Sequence, residues 1–333
     1  MKYLKLTQLA CTVGLALTLS SVANAAIITD GNVQLGIQDT GALNVPGGTA
    51  SPVTGTRAVG LRYTPTGNEA TSHGCLCEGW GVGIGDSGVA GWDGNGFSNL
   101  TVDSFTSTAT TATSVTSLTS GELQVTHDFA LAEETDNLFR ARVSITNTSG
   151  VDISDLRYTR VMDWDVEPTT FREFVTIDGT AEASAVLFAH DDGFESANPF
   201  ASRTPILDSG DFEDSGPADH GALFDFGFGA LAAGETFEFD IFYGGAATEA
   251  EALASLGEVG AEVYSLGQSS IDAEGTGAGG SNTFIFGFSG VGGEPLPDPT
   301  PVPELSAVSG PLSIAILGTL LSLGAERRRK RAK

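Results

Sequence analysis

Apolar and polar residues alternate with a period of two through most of this chain. In NLFRARVSITNTSG, Phe139, Ala141, Val143 and Ile145 share one face, and Arg140, Arg142 and Ser144 the other. That is the pattern of a half-buried strand. GELQVTHDFAL before it places Leu123, Val125 and His127 together, Asn147 to Gly150 reads as a turn, and DISDLRYTRVMDWDVEP as a third strand. Shorter alternations recur at Val33, Leu35 and Ile37, at Val59 and Leu61, in EFVTIDG and AVLFAH, and at Phe237, Phe239 and Ile241. FIFGF, residues 284–288, reads as a last buried strand. Residues 101–120 hold 13 Ser or Thr, with Val102, Phe105, Val115 and Leu118 available for burial, and read as paired strands. Only one stretch reads as a helix. Thr248 and Glu251 form a capping box, Leu253 and Leu256 give a short apolar stripe, and Gly257 or Gly260 ends it. The fold class is therefore all-β, an antiparallel β-sandwich large enough for a two-sheet sandwich, with one short helix near 248–257.

Glycine breaks the pattern in two places. His73 to Asn99 reads as a Gly-rich loop region anchored by Trp80 and Trp92, and Asp208 to His220 as an acidic loop. After Gly290 the chain turns Gly- and Pro-rich, and residues 291–301 read as a semi-rigid linker.

The two ends carry export signals. Lys2 and Lys5, an apolar stretch from Leu9 to Leu19, and Ala23-Asn24-Ala25 form a secretory signal peptide over residues 1–25, cleaved after Ala25. The run from Leu305 to Ala325 has 21 residues without a charge. At about 1.5 Å per residue it spans roughly 30 Å, the thickness of a bilayer core, and so reads as a transmembrane helix. Arg327, Arg328, Arg329, Lys330, Arg331 and Lys333 follow it and stay on the cytoplasmic side. The body, residues 26–290, then lies across the membrane.

With Val302-Pro303-Glu304 before that helix and a basic cluster after it, the tail resembles the PEP-CTERM sorting signal of Gram-negative bacteria. Leu305 stands where the family usually has a second Pro. The resemblance covers residues 302–333 and implies that Pro303 and Glu304 are read by an exosortase-type processing enzyme. It also implies association with exopolysaccharide, and a protein held at the envelope and then displayed on the surface or released.

Charge narrows the partners. The whole chain carries −26, but eight of its 16 basic residues lie in the two signals. The body with its linker, residues 26–300, keeps eight arginines, no lysine and 40 acids, a balance of −32. Such a surface repels phosphate backbones and excludes nucleic acid as a partner. Its partners are the secretion machinery, the processing enzyme, the membrane through the C-terminal helix, and exopolysaccharide.

Few residues suggest chemistry. Cys75 and Cys77, in His73-Gly-Cys-Leu-Cys-Glu78, suit a local disulfide, free thiols, or a soft-metal site with His73. Asp163, Asp165 and Glu167 fall on one face at strand spacing and suit calcium, sugar contact or glycosidase-type acid–base chemistry. Asp208, Asp211, Glu213 and Asp219 imitate part of a calcium loop whose closing acid is replaced by Ala222. No nucleophile elbow, P-loop or zinc-protease motif appears. These readings imply an exported envelope or matrix protein that is not an enzyme, with no catalytic residue and no cofactor beyond calcium. The alternative is a secreted carbohydrate-active enzyme using Asp163, Asp165 and Glu167, or a calcium- or sugar-binding adhesin module. Protein recovered from native cells is expected to begin at Ala26 and to lack the basic cluster, which intact-mass spectrometry checks.

Overall fold

The alternation resolves into three antiparallel sheets. The computed structural model describes residues 25–71, 73, 78–272 and 275–299. The chain runs β1 (Ala25–Asp30), β2 (Val33–Gln38), β3 (Leu61–Tyr63), β4 (Asn68–Glu69), β5 (Glu78–Ile84), β6 (Val89–Asp93) and β7 (Phe97–Ser98). It continues through β8 (Leu100–Ser107), β9 (Ala112–Leu118), β10 (Leu123–Leu131), β11 (Leu138–Asn147), β12 (Ile153–Asp163), β13 (Glu173–Asp178) and β14 (Val186–His190). Then come β15 (Phe212–Ala218), β16 (Gly221–Leu231), β17 (Thr236–Ala246), α1 (Glu249–Glu258), β18 (Val263–Ser270) and β19 (Ala278–Ser289). The first four strands form a small sheet in sequence order. A nine-stranded sheet has the order β15-β13-β18-β19-β17-β11-β10-β9-β8, and a six-stranded sheet the order β14-β16-β12-β5-β6-β7.

The two large sheets pack face to face as a sandwich. Tyr158 lies edge-on to Phe239 at 5.1 Å, Phe224 to Phe288 at 4.9 Å, and Phe226 meets Phe288 at 5.0 Å. These offset and edge contacts are the arrangements that aromatic quadrupoles favour. Phe139, Ala141, Val143 and Ile145 of β11 all face the core, as the alternation predicts. α1 forms where its capping box lies: the Thr248 hydroxyl accepts from Glu251 N at 3.2 Å, and Gly260 takes a positive φ just after it. Ala252 and Leu256 of α1 pack with Phe242, Leu266 and Ile285 on the outer face of the nine-stranded sheet.

A polar knot sits inside this apolar sandwich. Arg160 Nε donates to Glu78 Oε1 with both side chains wholly buried. Arg160 Nη2 donates to the Gly41 carbonyl at 2.9 Å, and Nη1 lies 3.2 Å from both Tyr158 OH and His127 Nε2. Tyr243 OH and Leu43 N complete the shell of Glu78 at 3.0 and 2.8 Å. Burial pushes Glu78 up and the Arg160 guanidinium pulls against it. Burial and the same cation hold His127 well below its ordinary range.

The glycine-rich stretch corrects its sequence reading: β5 and β6 are strands, and β5 is interior to its sheet. In EGWGVGI, Trp80 and Val82 face the core, Gly79 packs on Asp93 and Gly94, and Gly81 and Gly83 face a covering segment over residues 193–203. A Cβ on Gly81 would stand 2.0 Å from the Ala197 carbonyl oxygen, and one on Gly83 2.7 Å from the Phe200 ring. Absence of side chains here is a packing requirement and not a turn signal. Arg203 fixes the segment, donating to both Asp225 oxygens at 2.6 and 2.7 Å and to the Ser196 and Asn198 carbonyls. The acidic stretch also departs from its loop reading, since Phe212–Ala218 is edge strand β15, a position that tolerates Pro217.

Beyond β19 the chain stays on the body for several residues. Glu262 accepts from Gly290 N, Val291 N and Gly293 N at 2.8 to 3.0 Å, and Leu296 N donates to Ala261 O at 2.8 Å. Among the described residues no helix is long and apolar enough to cross a membrane. Residues 302–333, with Val302, Pro303, Glu304 and the expected membrane helix, lie outside the described residues, as do Ala23, Cys75 and Cys77. Ala25 opens β1. Replacing Gly81 by Ala is expected to lower unfolding stability by about 1–3 kcal/mol, because the covering segment must shift; urea denaturation measures it.

Candidate active site

Three strands end near one another at one end of the sandwich, and the inner face changes there from aromatic to polar. β12 stops at Asp163, opposite Gly221 of β16. The chain leaves the sheet through Trp164, whose indole donates to Ser265 Oγ at 3.1 Å, and Asp165, whose N–H donates to Ala70 O at 2.7 Å. β13 begins at Glu173, whose side chain lies on the same face as buried Val175 and Ile177. Asp163, Asp165 and Glu173 are each at most 1% exposed.

Glu173 is a strongly perturbed carboxyl. Its Oε1 accepts from Phe171 N at 2.5 Å, while Oε2 is buried without a hydrogen-bond partner. Burial, reinforced by the negative charges of Asp165 and Asp219, pushes it up to about 9. At neutral pH Glu173 is therefore a protonated carboxyl beside other acids. Environments that separate the proton affinities of neighbouring carboxyls mark acid–base sites.

His220 joins the cluster from the turn before β16. Its Nδ1 lies 3.2 Å from Asp191 Oδ2, and its Nε2 3.2 Å from the backbone oxygen of Glu173. Burial works against the Asp191 charge, but His220 and the N–H groups of Leu207 and Ile206 hold that carboxyl below its ordinary range. Asp219 is raised by burial, with His220 opposing. Phe171 forms the outer layer. It is 43% exposed, adopts a φ of 68°, and its ring lies 5.6 Å from the ring of His73. A positive φ in a bulky residue is costly and tends to persist at functional positions.

Of the expected trio, the structure keeps Asp165 near Glu173 and removes Glu167. The regular strand ends at Asp163, so strand spacing fails beyond it. Glu167 instead turns toward the N-terminal segments, accepting from Ser51 Oγ at 2.6 and 2.7 Å, from Thr54, and from Glu69 N at 2.9 Å. The acidic-loop residues scatter. Asp208 accepts from Ser215 Oγ at 2.5 Å, Asp211 from Thr180 N and Oγ at 2.8 and 2.6 Å, and Glu213 is exposed on β15. Asp219 alone reaches the cluster. Among the described residues no three His, Cys, Asp or Glu side chains group as a metal site. Glu173, His220 and Asp191 were not singled out from sequence. The legible signal was a carboxylate at the inward register of a buried strand, two and four residues before Val175 and Ile177.

No protein-family model matches the chain, and no curated protein matches it. Among solved structures it is similar to one from Escherichia coli K12 described as a "putative aldose 1-epimerase", at 12% identity and a TM-score of 0.28, over 82% of this chain and 89% of that one. That description is of an enzyme, which runs against the expectation of a non-enzymatic matrix protein. At this TM-score the similarity assigns neither a residue nor a substrate.

Glu173 links the cluster to pH. Its folded-state value lies above the ordinary 4.5, so the stability it contributes is complete below 4.5 and is lost as pH rises toward 9. Between those limits folding takes up one proton, worth at most about 1.4 kcal/mol per pH unit. Glu173→Gln is expected to flatten the fall in stability between pH 5 and 9, measured by denaturation at each pH.

Proposed function

We propose that the body is a carbohydrate-acting enzyme working by proton transfer at an acetal or hemiacetal centre. Glu173 is the proton donor and Asp165 the second carboxyl of the pair. The observation that carries this reading is the protonated, fully buried Glu173, with one oxygen uncommitted and negative charge from Asp165 beside it. Departure of a sugar oxygen requires a proton from a group still protonated at working pH, and an ionised carboxylate stabilises the positive charge that develops at the anomeric carbon. Phe171, exposed and directly bonded to Glu173 through its N–H, supplies an aromatic face at the solvent side, suited to stacking on a sugar ring. Because the reactive groups lie one layer below Phe171, substrate entry displaces the covering chain.

The chain's ends support a destination outside the cytosol. In this proposal residues 1–25 direct export, residues 305–325 span the membrane, and the Val302-Pro303-Glu304 stretch is read by an exosortase-type enzyme. Asp165 and Glu173 then face the exopolysaccharide side of the envelope.

A panel of polysaccharides and reducing sugars tests the activity. Glu173→Gln and Asp165→Asn are each expected to lower kcat by about 10²–10⁴ while the protein stays folded. Turnover undiminished in both folded variants would remove these residues as the reactive pair.

A further inference from the structure

The carboxyl cluster continues into a row of uncharged polar side chains. β13 opposes β18 up to Phe174 against Gln268, and Glu173 and Ser269 are the residues that follow this last pair on the two strands. β18 opposes β19 with Gln268 against Thr283; the register then shifts, Ser269 Oγ lies over Gly280, and Asn282 follows Thr283 on the same stretch of β19. Ser269 and Asn282 are 0% and 2% exposed. Ser269 Oγ, Asn282 Nδ2 and Glu173 Oε2 all lack a hydrogen-bond partner. So does the buried hydroxyl of Thr71, which follows the residue whose carbonyl takes the Asp165 N–H. The Asn282 amide is not reversed. Its Oδ1 accepts from Asn68 Nδ2 at 3.2 Å, and that same nitrogen donates to Glu167 O at 3.3 Å. Its Nδ2 is thus a donor left to face something else.

Cores normally satisfy such groups or replace them with apolar ones. Donors and acceptors that converge unsatisfied beside a protonated carboxyl match a ligand carrying both, which is what a hydroxyl group does. Negative charge from Asp165 and Asp219 at Glu173 disfavours an anion. Buried Arg62, Arg160 and Arg203 are committed to Glu69, Glu78 and Asp225, and the body contains no lysine. We propose that Thr71, Ser269 and Asn282 bind the hydroxyls of an uncharged sugar residue and that the site rejects uronates and sulfated sugars. This names the ligand class of the site proposed above and rests on that reading of Glu173 and Asp165.

Full chain and the variants Thr71→Val and Ser269→Ala are titrated by calorimetry with maltopentaose, cellopentaose, xylopentaose, tetragalacturonate and a heparin tetrasaccharide. At least one neutral probe is expected to bind and neither acidic probe to do so. Each variant is expected to weaken binding about tenfold, with a Tm unchanged or raised by about 2 °C. Tighter binding of an acidic probe, or no binding of any neutral one, overturns the proposal. A Tm lowered by several degrees in both variants also overturns it, because the hydroxyls would then serve the fold through buried water. Turnover with unchanged KM in both variants would remove this row while leaving the acid–base reading intact.

Discussion

The buried pair between Arg160 and Glu78 is the constraint on which the sandwich depends. Two charges taken from water need a complete set of partners, and removing one leaves the other stranded. The required set fixes several elements at once: β12 carries Arg160, β5 carries Glu78, β10 carries His127, β17 carries Tyr243, and the residues after β2 present Gly41 O and Leu43 N. No slipped register of either large sheet reproduces this shell. Apolar contacts among Phe224, Phe226, Phe286 and Phe288 supply burial but tolerate sliding, so uniqueness comes from the polar knot.

The same strands carry that order outward to the candidate site. Two residues separate Arg160 from Asp163 along β12, and Glu78 opposes Met162 beside it. The interior therefore grades from phenylalanine, through a fully bonded ion pair, to a cluster in which Glu173 keeps one oxygen uncommitted. A pair with every valence filled stabilises a single arrangement. A carboxyl with one valence open, kept neutral by burial and by neighbouring negative charge, costs stability and is suited to proton transfer.

Much of the fold was legible because it is local. β10 and β11 follow strict alternation, and α1 begins where Thr248 meets Glu251. β5 was not legible, since Gly79, Gly81 and Gly83 copy a turn-rich loop unless the backbone at Asp93 and Gly94 and the segment over residues 193–203 that pack on them are known. The ion pair joins residues 82 apart, which no spacing rule connects. The site was half legible. Asp165 stood out by its acidic neighbours, but extrapolating the strand past Asp163 selected Glu167 in place of Glu173. Where a strand stops is set by tertiary hydrogen bonds such as Asp165 N to Ala70 O, and these leave no periodic trace.

The grip of Glu262 on residues 290–293 has a mechanical consequence. Tension drawn through the end of the chain meets the Leu296–Ala261 bond first, then this carboxylate, and then enters β18 and β19, which have neighbours on both sides in the nine-stranded sheet. Antiparallel ladder bonds lie perpendicular to their strands, so a pull along β19 strains them together as a set. Load that enters behind residue 296 is thus received by interior strands and not by an edge.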